Sequence, residues 1–180
     1  NKIQNAESPR ILIVSTTALG DTLWATPAIR AIKKKHPNAS LAVLTSPVGK
    51  ELLKTNPYID ELFVIEDPAL IPCIKIFPKL LKNRFEIAFI FHFSQRPILP
   101  LIHLLKIGKI IGTVGMNKGM DHYLTDQAPN TFVHSIERRL NLLHTIGIEQ
   151  DGPQMDFFLS EKENTEITKL LDHPFIIGLH

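Results

Sequence analysis

The chain has 180 residues, 44% of them hydrophobic and 21% charged, a composition that excludes extended disorder. Twenty Lys and Arg against 18 Asp and Glu leave a net charge of +2, too small an excess for a dedicated nucleic-acid binder. The single cysteine, Cys73, excludes an internal disulfide framework and a cysteine-rich zinc site, and it fits a reducing, cytoplasmic setting.

Residues 1–9 read as a polar leader without the apolar core of a signal peptide. Residues 11–14 (Ile-Leu-Ile-Val) form a continuous apolar run, the pattern of a strand covered on both faces. A helix is predicted from about residue 21 to 35. A strand at 41–44, a short helix at 48–54 and a strand at 61–65 follow. Residues 70–82 read as a helix with proline interruptions, 85–91 as a strand, 97–107 as a very apolar helix and 109–113 as a strand. Residues 115–131, with Gly, Asn, Asp and Pro, read as a long loop. The clearest helix covers 132–146, with Val133, Ile136, Leu140, Leu143 and Ile146 on one face and Glu137, Arg138 and Asn141 on the other. Gly147 stands in position to end it. Residues 155–159 read as a sixth strand. Ser160 and Glu163 form a capping box ahead of a polar helix to Leu171. Residues 175–179 are apolar again, as a further strand.

Strands alternating with helices predict an α/β domain: a Rossmann-like parallel sheet with helices on both faces. That domain is assigned to residues 10–173. The apolar run at 174–180 is expected to open a second domain, the other reading being a last edge strand of the same sheet. No stretch approaches the roughly 18–20 apolar residues that span a bilayer.

Ligands of open α/β sheets bind at the carboxyl ends of the strands. The first such end here is Ser15-Thr16-Thr17-Ala18-Leu19-Gly20-Asp21. Gly20 permits an unusual backbone angle or the close approach of a ligand. The G-x-G-x-x-G and G-x-x-x-x-G-K-[ST] phosphate loops are absent. Asp21 has two readings, an N-cap of the following helix or a carboxylate placed to act as a general base.

Leu19-Gly20-Asp21, then Thr26-Pro27-Ala28-Ile29-Arg30-Ala31-Ile32, His36-Pro37 and Asn56-Pro57-Tyr58-Ile59-Asp60-Glu61 occur in that order. Lys109-Ile110-Ile111-Gly112, the His134–Arg138 pair ahead of Gly147, and Ile177-Gly178-Leu179-His180 come later. This succession resembles the bacterial heptosyltransferases of glycosyltransferase family nine. The resemblance implies the N-terminal, acceptor-side half of a GT-B glycosyltransferase, with 174–180 opening the C-terminal, donor domain. It implies inverting, metal-independent transfer from ADP-heptose or a related nucleotide sugar to a lipid-linked lipopolysaccharide inner-core acceptor, without a cofactor. It implies Asp21 as the base, with Gly20 and Leu19 near the donor phosphates. The isolated chain is then expected to be inactive and to bind ADP-sugars weakly. The rival from another class is a non-catalytic α/β acceptor-binding module.

The inner core carries carboxylates and phosphates, so cations at the ligand end of the sheet are candidates for acceptor contacts. Arg96 and Lys118 are chosen on that ground, with Thr17 in the first turn. His92 and Ser94 share the fourth strand's end, and His92 reads as a hydrogen-bonded structural histidine. Lys33, Lys34 and Lys35 read as a solvated last turn. Residues 70–81 and 97–107 read as core helices, with peripheral contact at the inner membrane as their second reading. Cys73 reads as a small buried apolar residue.

Overall fold

A computed structural model describes residues 8–93 and 95–171. Residues 1–7 of the expected leader, Ser94 and the strand expected at 174–180 lie outside the described residues.

Six strands form one fully parallel sheet: β1 (Arg10–Ser15), β2 (Ser40–Thr45), β3 (Glu61–Val64), β4 (Ile87–His92), β5 (Lys109–Thr113) and β6 (Asp126–Ala128). Their order is β3-β2-β1-β4-β5-β6, so the chain reverses its direction of travel between β1 and β4. That reversal is the topological switch point where open α/β sheets bind ligands. Alternate residues of β1 serve opposite faces, with Ile11 and Ile13 in one core and Leu12 and Val14 in the other.

Among the described residues the helices are α1 (Leu19–Leu23), α2 (Thr26–Lys35), α3 (Pro47–Leu53), α4 (Leu70–Asn83), α5 (Ile98–Leu104), α6 (Ser135–His144) and α7 (Glu161–Leu171). The first core gathers Ile29 and Ile32 of α2 with Leu140 and Leu143 of α6. The second gathers Cys73 and Leu80 of α4 with Leu99 and Ile102 of α5. Helices thus cover both faces, as the alternation predicts, and Cys73 is buried as expected.

The expected single helix at 21–35 is two. Pro27 has no N–H to give the carbonyl of Leu23, and the Thr26 hydroxyl donates to that carbonyl instead at 2.8 Å. The first of the two, α1, starts at Leu19, inside the segment read as a loop. The loop at 115–131 also contains β6 and a 3-10 turn at Asp121–Tyr123. Residues 155–159 are not a strand. That segment is tied to the helices instead: Arg30 Nη1 donates to the Gln154 carbonyl at 2.8 Å and Asp156 N–H donates to Thr26 Oγ1 at 2.8 Å.

Arg30 is the clamp of this attachment. It is buried, donates through Nε to Asp151 at 2.9 Å, and pairs with Asp156 through Nη1. Burial works to lower its pKa, but the hydrogen bonds and charges of Asp151 and Asp156 outweigh it and raise the value. Lys33 is not a solvated residue of a last turn. Its Nζ donates to the Ala39 carbonyl and to Asp60, fixing α2 against the start of β2.

Two terminations follow the sequence. Gly147 takes φ 74°, Ile148 N–H donates to the Leu143 carbonyl, and Gly147 N–H donates to His144, which closes α6 as a Schellman turn. Ser160 N–H donates to Glu163 Oε2 at 2.8 Å while Glu163 N–H donates to Ser160 Oγ at 3.3 Å, the reciprocal bonds of a capping box.

Candidate active site

The switch point puts the turn after β1 beside the end of β4. Thr16 N–H donates to the His92 carbonyl at 3.1 Å, bridging the two strand ends. From there α1 carries Asp21 into a small cleft of about 110 Å³. His92 and Phe93, Thr113 and Asn117, and Arg138 and Arg139 of α6 form its other walls. The volume holds roughly three or four waters, or the reacting end of a sugar rather than a whole one.

Asp21 is not the N-cap of α1. Ala18 occupies that position and makes no side-chain cap, so the first turn leaves the Asp21 carboxylate free to face the cleft. Its two oxygens are held separately. Thr17 Oγ1 donates to Oδ2 at 3.0 Å and Arg139 Nη2 donates to Oδ1 at 2.9 Å. Thr17 is itself positioned, because Ser46, the N-cap of α3, donates its hydroxyl to the Thr17 carbonyl at 3.0 Å. Each carboxylate oxygen accepts about two hydrogen bonds, so both keep capacity for an incoming hydroxyl.

Arg139 is the residue that sequence reasoning missed. Its side chain is 5% exposed, packs 5.9 Å from the Trp24 ring centre and also donates to the Ser135 carbonyl at 2.8 Å. Burial pushes its guanidinium pKa down, and the hydrogen bond and charge of Asp21 push it back up. The signal was present in its spacing, three residues after Ile136 and four before Leu143, on the buried face of α6.

His92 departs from the structural histidine expected at the strand end. Its Nδ1 is buried with no hydrogen-bond partner among the described residues. Burial lowers its pKa first, the Asp21 charge opposes this, and Arg139, Lys118 and Arg138 lower it further. Burial thus favours the neutral form of the imidazole in the cleft. Arg138 Nε and Arg139 Nε are likewise buried without partners among the described residues. Such unsatisfied polar atoms are uncommon in native interiors.

Gly20 does not use a left-handed angle. It is the second residue of α1, and a methyl group there would meet nothing within 4 Å, so the backbone is open to close approach. Leu19 beside it is 50% exposed. Lys118 takes φ 55° and holds its ammonium 5.9 Å from the Phe93 ring centre, at the cleft wall. Arg96 is elsewhere: it lines an apolar groove between α4 and α5. His134 caps α6, its Nδ1 accepting from Ile136 N–H at 3.2 Å, with its ring edge-on to Trp24. Among the described residues no three His, Cys, Asp or Glu side chains gather as metal ligands.

Solved structures with a similar architecture include several glycosyltransferases. A family 9 glycosyltransferase from Veillonella parvula superposes with a TM-score of 0.76 at 16% identity, over 89% of this chain and 48% of that one. The fold is a Rossmann-like parallel α/β sheet, the architecture shared with about half of that glycosyltransferase chain. The E. coli heptosyltransferase WaaC, solved with ADP-2-deoxy-2-fluoro heptose, gives 0.68 at 15% identity, over 82% of this chain and 51% of that one. The E. coli ADP-heptose lipopolysaccharide heptosyltransferase II gives 0.64 at 18% identity, over 91% and 50%. The chain spans about half the length of each. No family model and no curated protein matches the sequence.

Proposed function

We propose that this chain is the acceptor-side half of an inverting glycosyltransferase of the heptosyltransferase kind, with Asp21 as its general base. The observation that carries the reading is the Asp21 carboxylate at the switch point, held by Thr17 and Arg139 and facing a cleft that Arg138 also lines.

In the proposed reaction an acceptor hydroxyl enters the cleft and hydrogen-bonds Asp21. Asp21 takes its proton as the oxygen attacks the anomeric carbon from the face opposite the nucleotide. The new carbon–oxygen bond forms as the bond to the diphosphate breaks, and the nucleoside diphosphate leaves with that electron pair. Thr17 and Arg139 keep the carboxylate aimed during this step. Arg138 and Lys118 offer positive charge to a phosphorylated or carboxylated acceptor. The open backbone at Gly20 and the exposed Leu19 form the side from which a donor approaches.

A nucleotide-sugar donor is proposed on the strength of the ADP and ADP-sugar bound in the E. coli structures. ADP-heptose and a lipopolysaccharide inner-core acceptor are the first pair to test. The protein expressed from its complete reading frame is incubated with both, and the product is read by mass spectrometry. The reading predicts an acceptor heavier by one heptose and an inverted anomeric centre. No transfer from any nucleotide sugar would contradict it and favour a non-catalytic binding module.

A further inference from the structure

Helix α4 carries more apolar surface than its core contacts use. At about 100° per residue, Cys73, Ile76, Phe77 and Leu80 share the inward face of α4. Leu70, Ile74 and Leu81 form a second stripe beside it, flanked by Ile71, and these four are 50–67% exposed. Across a groove of about 590 Å³, Leu104 of α5 is 63% exposed as well. The groove is lined almost wholly by apolar side chains, with Arg96 as its one charged residue.

The charge around this apolar face is one-sided. Residues 70–107 hold six Lys and Arg (75, 79, 82, 84, 96, 106) and one acid, Glu86. In the remaining sequence acids outnumber these bases 17 to 14. All six cations are exposed, and among the described residues none of them forms an ion pair. Lys75, Lys79 and Lys82 follow the apolar stripe around the helix at an arc of roughly 120–180° from Leu70. Glu66 is the one carboxylate in the depression beside Lys75 and Lys79.

The geometry points to α4 and the start of α5 as the surface that seats this chain on an anionic phospholipid bilayer. Aliphatic side chains bordered by lysines suit the boundary between acyl chains and headgroups, where lysine stems lie along the apolar layer and their ammonium groups reach phosphates. Protein interfaces instead favour aromatic residues and are depleted in lysine. No helix among the described residues is long and apolar enough to cross a membrane, so contact by this face is peripheral. Leu70 and Arg96 stand just beyond the carboxyl ends of β3 and β4. The groove therefore begins at the same sheet edge as the Asp21 cleft.

The test is co-sedimentation of the full 180-residue chain with phosphatidylglycerol-containing vesicles and with pure phosphatidylcholine vesicles. The chain is expected to pellet with the first and stay in solution with the second. Ile71→Asp with Ile74→Asp, and separately Lys75→Glu with Lys79→Glu, are each expected to cut partitioning about tenfold or more without changing Tm. Lys162→Glu, on the exposed α7, is expected to change neither. The inference is overturned if the wild type ignores anionic vesicles, or if either double variant binds as well as wild type. It is also overturned if Lys162→Glu weakens binding equally. Light scattering that shows a dimer broken by Ile74→Asp, in a chain that ignores vesicles, would assign the face to a second copy instead.

Discussion

Arg139 reaches across 118 positions of sequence to place Nη2 2.9 Å from Oδ1 of Asp21, joining α6 to α1. The pair fixes the carboxylate but also commits a buried guanidinium to it. Arg139→Met removes the partner and leaves Asp21 in a half-closed site. Losing one member of a fully buried pair costs about 3–5 kcal/mol. The Asp21 side chain is 26% exposed, so the loss expected here is smaller, about 2–3 kcal/mol. Chemical denaturation measures it. Arg139→Lys should restore part of the stability and little of the transfer rate, because an ammonium cannot bond Ser135 and Asp21 in the same fixed plane.

Gly20→Ala separates stability from function. The added methyl meets no atom within 4 Å and replaces glycine inside a helix. Thermal unfolding should show a gain of about 0.5–1 kcal/mol. If substrate approaches the backbone there, transfer should fall in the same variant. A stabilised variant with full activity would move the donor's approach away from Gly20.

His92 sets a pH dependence. Its folded pKa lies below the ordinary 6.5, chiefly through burial. The unfolded chain therefore binds a proton before the folded one does. The stabilising contribution of the neutral ring is present above 6.5 and is lost as pH falls from there through the folded value. His36, also lowered by burial, acts in the same direction. Comparing Tm of wild type and His92→Gln from pH 8 to 5 isolates the His92 share (an order-of-magnitude window around its titration). Wild type should lose more on acidification.

Arg30→Gln should release residues 151–158 before it unfolds the sheet. The guanidinium carries most of the hydrogen bonds that hold this segment to α2, beside the Asp156 N–H bond to Thr26. Hydrogen exchange is expected to speed up in that segment first, with a stability cost of at least about 2 kcal/mol.

The parts of this fold that sequence exposes are those set by local physics. β5 matches its expected range because Lys109–Thr113 is a short apolar run between turns. The capping box at Ser160 is local and was visible for the same reason. β6 was hidden because Asp126-Gln127-Ala128 has neither alternation nor branched residues, and pairing with β5 alone makes it a strand. The largely apolar segment 155–159 has the composition of a strand, yet Asp156 ties it to α2 instead, its N–H donating to Thr26 and its carboxylate pairing with Arg30. In the site, the Leu-Gly-Asp turn marked Asp21, but neither Thr17's hold on it nor Arg139's follows from adjacency. Arg96, selected as a cation near a strand end, lines a different groove, just ahead of Pro97, the N-cap of α5.

The central claim is that Asp21 removes a proton from the acceptor. Its most direct test is Asp21→Asn in the protein expressed from its complete reading frame, with kcat measured beside donor affinity by calorimetry. The amide keeps the size of the side chain and can still accept from Thr17, but it cannot take the proton. The account predicts a fall in kcat of about 10²–10⁴-fold with donor binding nearly unchanged. A variant that turns over within about tenfold of wild type would contradict it.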